Sequence, residues 1–162
     1  MCRLCWTVLM LLLLAIVGAA YKFGIRGSTA PAEDGRLAIL LTDGERARVL
    51  SEMRAFLVAV QAIAEAAAND KPGDAAAAAR KVGMAAQRGV PVALMAKLPL
   101  EFKRLGLSTH RAFDQLALDA EQLGDRDHTL NQLAKLMRNC VGCHAAYRLG
   151  VRGVADRPRS QG

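Results

Sequence analysis

At 162 residues, 52% hydrophobic but only 4% aromatic, the chain holds material for one domain of roughly 115 residues once an apolar N-terminal stretch is set aside. Ala and Leu dominate and β-branched residues are scattered, so the composition favours helix and predicts an all-α class with little material for a sheet. The net charge of +7 comes mostly from arginines, with a cluster at Arg148, Arg152, Arg157 and Arg159; no binding motif or interleaved aromatics accompany it, which argues against nucleic acid and leaves a solvated basic face that could meet an acidic protein or anionic lipid.

From Leu4 to Tyr21 run eighteen residues without a charge, about the shortest length that spans a bilayer as a helix. Residues 1–24 are therefore read as a targeting or anchoring segment. Val17-Gly18-Ala19-Ala20 could serve as a cleavage site after Ala19 or Ala20, but the length of the apolar run favours an uncleaved anchor. Cys2 and Cys5 form a C-x-x-C at the membrane entrance, where they read as apolar fillers.

Residues 25–41 read as a linker, turn-rich from Ser28 to Asp34 and ending in the apolar stretch Leu37–Leu41. Thr42-Asp43-Gly44-Glu45 is a capping box that starts a first helix, whose inner stripe is Val49, Met53, Phe56, Val60, Ile63 and Ala67. Asn69-Asp70-Lys71-Pro72-Gly73 breaks it. The second helix is expected from Asp74 through five alanines to about Arg88. A connection of about nineteen residues holds Pro91, Pro99 and Gly106, and its leucines are expected to cover part of the core. The third helix is expected to start at Ser108 as N-cap, to bury Phe113, Leu116, Ala120 and Leu123, and to stop at Gly124. The fourth is expected to be capped by Asp127, with Leu130, Leu133, Met137, Cys140, His144 and Tyr147 on its inner face. Together these predict an antiparallel four-helix bundle over residues 42–150, followed by a basic tail at 151–162.

Within the fourth helix stands Cys140-Val141-Gly142-Cys143-His144, the C-x-x-C-H spacing of covalent c-type haem attachment. Residues i, i+3 and i+4 share one helix face, so two thioethers and a proximal imidazole can converge on one macrocycle. Zinc would need a fourth nitrogen or sulfur ligand, and neither His110 nor His128 has a partner at ligand spacing. A redox dithiol motif normally follows a strand, and here the surroundings are helical. With the helices antiparallel, Met53, Met84 and His110 come near the haem end of the bundle. Met53, on the inner stripe, is the expected sixth ligand; Met84 reads as core, His110 as surface and His128 as solvated at the far end. Met137 shares a helix with His144 and cannot reach the opposite face of the ring.

The nine residues from Cys140 to Arg148 resemble the C-x-x-C-H-x-x-[FY]-R end of the cytochrome c′ family and its low-spin relatives. The resemblance implies that Cys140 and Cys143 attach haem c, that His144 is its proximal iron ligand, and that Tyr147 and Arg148 pack near the ring and its propionates. It implies an axial residue from the first helix, apolar in the five-coordinate members and Met in the low-spin ones, and an option to form homodimers. The expected function is a single-electron carrier with His144 and Met53 as axial ligands, exchanging electrons with redox partner proteins. The alternative is a five-coordinate binder of nitric oxide or carbon monoxide. An enzyme is not expected, because peroxide chemistry wants a polar distal acid-base group and the distal lining reads as aliphatic. Because c-type haem is assembled on the outer face of the bacterial membrane, the domain is expected in the periplasm, held to the inner membrane or soluble after cleavage.

Overall fold

The computed structural model describes residues 3–151; Cys2 and residues 152–162 of the basic tail lie outside the described residues, and Val151, read as the first residue of that tail, closes the last strand. The fold is mostly helical. Helix α1 covers Arg3–Ala20 and continues as a π-helical turn over Tyr21–Arg26. Within them, Cys5–Arg26 is 22 residues long and apolar enough to cross a membrane or to act as a signal sequence, and none of it is buried against the protein.

The residues after it are not a linker. Strands β1 (Thr29–Pro31) and β2 (Leu37–Leu41) pair antiparallel, and β2 pairs in parallel with β3 (Tyr147–Val151), Leu37 opposite Tyr147 and Leu41 opposite Val151. The all-α expectation is corrected by this three-stranded sheet. Its central strand points Ile39 and Leu41 into the core, both fully buried, and that burial outweighs the weak strand propensity of Leu and Ala.

Helix α2 (Asp43–Ala68) starts as expected: Glu45 N donates to Thr42 Oγ1 and Thr42 N donates back to the Glu45 carboxylate. Helix α3 (Pro72–Arg80) is shorter than expected, stopping well before Arg88. Gly83 takes extended backbone, Asp114 fills the space where a Cβ would stand, and the same carboxylate accepts Met84 N at 2.9 Å. A single 3-10 turn over Met84–Gln87 and a short helix α4 (Val92–Met95) follow.

Helix α5 spans Leu100–Leu123, beginning eight residues before Ser108, with Pro99 at the N-cap position. Ser108 does not cap; its hydroxyl donates to Leu105 O. Gly106 inside a helix costs about 1 kcal/mol, less than is gained by burying Phe102 from this extra length. The helix ends at Gly124 in the left-handed region, φ +60, as read. Leu123, expected inside, is exposed. Helix α6 (Arg126–Ala146) is capped by Asp125, which accepts His128 N, so the cap lies two residues before Asp127. Leu130 and Met137 are more exposed than their stripe suggested, and Tyr147 leaves the helix to start β3.

Helix α2 packs on α3, α3 on α5, α5 on α6, and α6 back on α2. Two apolar clusters result. One lies among these four helices around Phe56, Ile63, Phe113, Leu116 and Leu133, with the alanines of α3 allowing close approach and Phe56 stacked on Phe113 at 5.5 Å. The other joins the sheet to α4 and α5 through Ile39, Leu41, Leu94, Leu98 and Phe102.

Candidate functional site

Where the two clusters meet, the structure holds a cavity of about 440 Å³ with a predominantly apolar lining, within the size range of cofactor sites. Cys140, Cys143 and His144 all line it. The sulfur-bearing residues divide between its two walls: Cys140 packs against the helical cluster, Cys143 against the sheet-side cluster, and Met53 against both. Met53 therefore lines the same cavity as the motif, as the stripe on α2 required. Met137 lines it too, and so does Met95 of α4, which sequence reasoning did not single out because it falls in the stretch read as a connection. Met84 does not line it.

Burial pushes both Cys140 and Cys143 thiols above the ordinary cysteine range, with Cys140 adding to the effect on Cys143. Reactive dithiol sites lower a cysteine pKa instead, so these two are poor thiolate nucleophiles. The His144 side chain makes no hydrogen bond, ion pair or ring contact among the described residues, and it is exposed at the cavity edge. No group of three or more His, Cys, Asp or Glu side chains among the described residues is placed to hold a metal ion by itself.

Tyr147 and Arg148 lie outside the lining. Tyr147 meets Phe102, a lining residue, edge-on at 5.5 Å, and burial raises its phenol pKa. Arg148 reaches Asp34 at 3.5 Å. The arginine and lysine side chains on the cavity wall are Arg48, Arg54 and Lys103; the Arg54 guanidinium has no partner among the described residues.

The end of the motif helix is held by a residue that sequence reasoning passed over. Arg36 Nη1 donates to the carbonyls of His144, at 3.2 Å, and Tyr147, at 3.4 Å, while Nε and Nη2 donate to Asp34. Those bonds from Arg36 hold the Asp34 carboxyl below its usual range.

His110 is not at the surface. It is 2% exposed on α5 and forms a polar cluster on the cavity wall with Glu52 and Gln87. Its Nδ1 lies 2.7 Å from Val82 O, which only accepts, and Nε2 lies 2.8 Å from Glu52 Oε1. Nε2 also lies 2.6 Å from Gln87 Nε2, so the ring donates to Glu52 when doubly protonated and accepts from the Gln87 amide when neutral. Burial works against that charge, but the Glu52 carboxylate and the Val82 carbonyl outweigh it and raise the pKa above the ordinary histidine value. The cavity wall thus has one polar sector that the aliphatic reading of α2 did not include. His128 is partly exposed, with Asp119 at 3.4 Å.

In comparisons with known proteins, no family model, no curated protein and no solved structure matches the chain.

Proposed function

We propose that this protein is a c-type cytochrome that carries single electrons, with haem c seated in the cavity between the two apolar clusters. The observation that carries the reading is the convergence of Cys140, Cys143 and His144 on one large apolar cavity that Met53 also lines. The residues fit the group: two protonated thiols, an imidazole without a competing partner, an apolar wall and cations at its rim. Cys140 and Cys143 would bind by adding each S–H across one vinyl double bond, giving two thioethers. His144 would ligate the iron on one side and Met53 on the other. When bound, the haem supplies a one-electron couple, and the apolar lining excludes water from it and keeps reorganisation small. With His144 and Met53 both taken as iron ligands, no position on the iron would be left for peroxide, and the reading is a carrier, not an enzyme.

The ring of α2, α3, α5 and α6 is read as an antiparallel four-helix bundle resembling the cytochrome c′ family, with the sheet as an addition. The apolar helix α1 is read as an anchor in the bacterial inner membrane, with the haem domain in the periplasm, redox proteins as partners and homodimerisation as an option.

Expression with haem-maturation machinery should give a haem-staining band on a denaturing gel, and Cys140→Ala with Cys143→Ala should abolish it. Stain retained in the double variant would overturn the attachment. The optical spectrum of the oxidised protein should be low-spin, and Met53→Ala should make it high-spin, open it to carbon monoxide and lower the reduction potential, because a thioether favours ferrous iron. Wild-type iron already high-spin in both oxidation states would remove Met53 as a ligand and leave the gas-binding function in its place.

A further inference from the structure

The chain leaves the apolar helix and enters the domain without slack. Gly27 N closes the π-helical turn by donating to Lys22 O at 2.9 Å, and the next residue, Ser28, donates to Lys97 O at 2.7 Å. Gly27 has φ +66, and a Cβ there would stand 2.5 Å from Lys97 O and 2.7 Å from Pro99 N. Only glycine lets the two backbones meet this closely. From the other side, Lys103 Nζ donates to Gly24 O at 3.0 Å. Lys103 also lines the cavity that receives Cys140, Cys143 and His144.

The anchor's last turn and the cavity wall are thus joined by backbone contact and by one side chain. The span Cys5–Arg26 has 22 residues, about 33 Å of helix, close to the ~30 Å of a bilayer's hydrocarbon core. Gly24 then falls at the level of the lipid headgroups. The charges here suit that level: Lys22 and Arg26 are exposed, Lys103 and Arg104 follow on α5, and the neighbouring acid Glu101 is paired with Arg104 at 2.8 Å.

We propose that the start of α5 is latched at the bilayer surface, with Lys103 among anionic lipid phosphates, so that the haem cavity is carried at the membrane plane. This deepens the reading of a membrane-anchored cytochrome and rests on it. Its functional consequence is that electrons are exchanged with partners resident in the same membrane, within reach of a domain that cannot swing away.

The test uses the full chain with Cys2→Ser and Cys5→Ser, in vesicles of phosphatidylglycerol doped with lipid that chelates nickel at its headgroup. A nitroxide is placed by Arg104→Cys or, as control, by Gln122→Cys near the other end of α5, about 27 Å along the helix. Relaxation by the headgroup nickel should be several-fold stronger at 104 than at 122, and Gly27→Ala should erase the difference while leaving the haem spectrum unchanged. Equal, weak relaxation at both sites in protein that stays with the vesicles after alkaline carbonate would overturn the latch alone. Release by carbonate would overturn the anchoring and the latch with it. A difference that survives Gly27→Ala would overturn the latch role of Gly27–Lys97.

Discussion

His110 shows how a single buried side chain couples the cavity wall to pH. Its folded pKa is raised above the unfolded value near 6.5, so the stability it contributes is full below that value and is lost as pH rises through the folded pKa. The carboxylates held low by their partners, Asp34, Glu45, Asp119 and Glu121, titrate beneath this window and do not oppose the trend. Urea unfolding of the protein should therefore show stability falling by about 1 kcal/mol between pH 5.5 and 8.5, the scale of a charged hydrogen bond partly offset by burial. Glu52→Gln should flatten that dependence. A wild-type profile that rises over the same range would contradict the raised His110 pKa.

Among the elements, α6 and β3 carry the site. The helix presents the motif, and the strand that follows ties its end to β2 in parallel register. Gly150 lies under β2, where a Cβ would press to 3.2 Å of the Leu40 side chain. Arg36 is the second tie, since its guanidinium donates to the two carbonyls at the helix end. Hydrogen exchange read by mass spectrometry should show residues 144–151 exchanging faster in Arg36→Ala, with the proposed haem attachment unaffected because neither thiol is touched. Unchanged exchange there would mean that the strand pairing alone holds the motif helix. At the start of α2 the capping box is tied in turn to the chain before α5, where Lys97 Nζ donates to both Glu45 oxygens at 2.6 and 2.7 Å and lowers that carboxyl's pKa.

At the scale of the whole molecule, β2 and β3 join residues more than a hundred apart, so the sheet closes the domain around the helices between them. The cavity lies between the helical cluster and this closure, with one cysteine on each side. The apolar span stands outside that packing, exposed from Cys5 to Arg26. Cell fractionation should find the full chain in the membrane pellet after alkaline carbonate, with the N-terminal residues still present by mass spectrometry. A mature N-terminus at Ala20 or Tyr21, in protein from the soluble periplasmic fraction, would show that the segment is a cleaved signal.

Local chemistry was legible without coordinates. The capping box at Thr42 and Glu45, the glycine stop at Gly124, the inner stripe of α2 through Met53 and the apolar span are each written within a few adjacent turns, where propensity and hydrogen bonding are settled by near neighbours. The C-x-x-C-H spacing belongs to the same class, because it is a property of one helix face. What only the tertiary structure decided depended on partners distant in sequence. Leu37–Leu41 became a strand because Tyr147–Val151 lay beside it. The chain after α3 is held by Asp114, which accepts Met84 N and sits against Gly83, and α5 started early because Phe102 had a cluster to enter. His110 went inside because the Val82 carbonyl, Glu52 and Gln87 stood ready to pair with its ring nitrogens, and a lone histidine beside Thr109 and Arg111 carries no local sign of them.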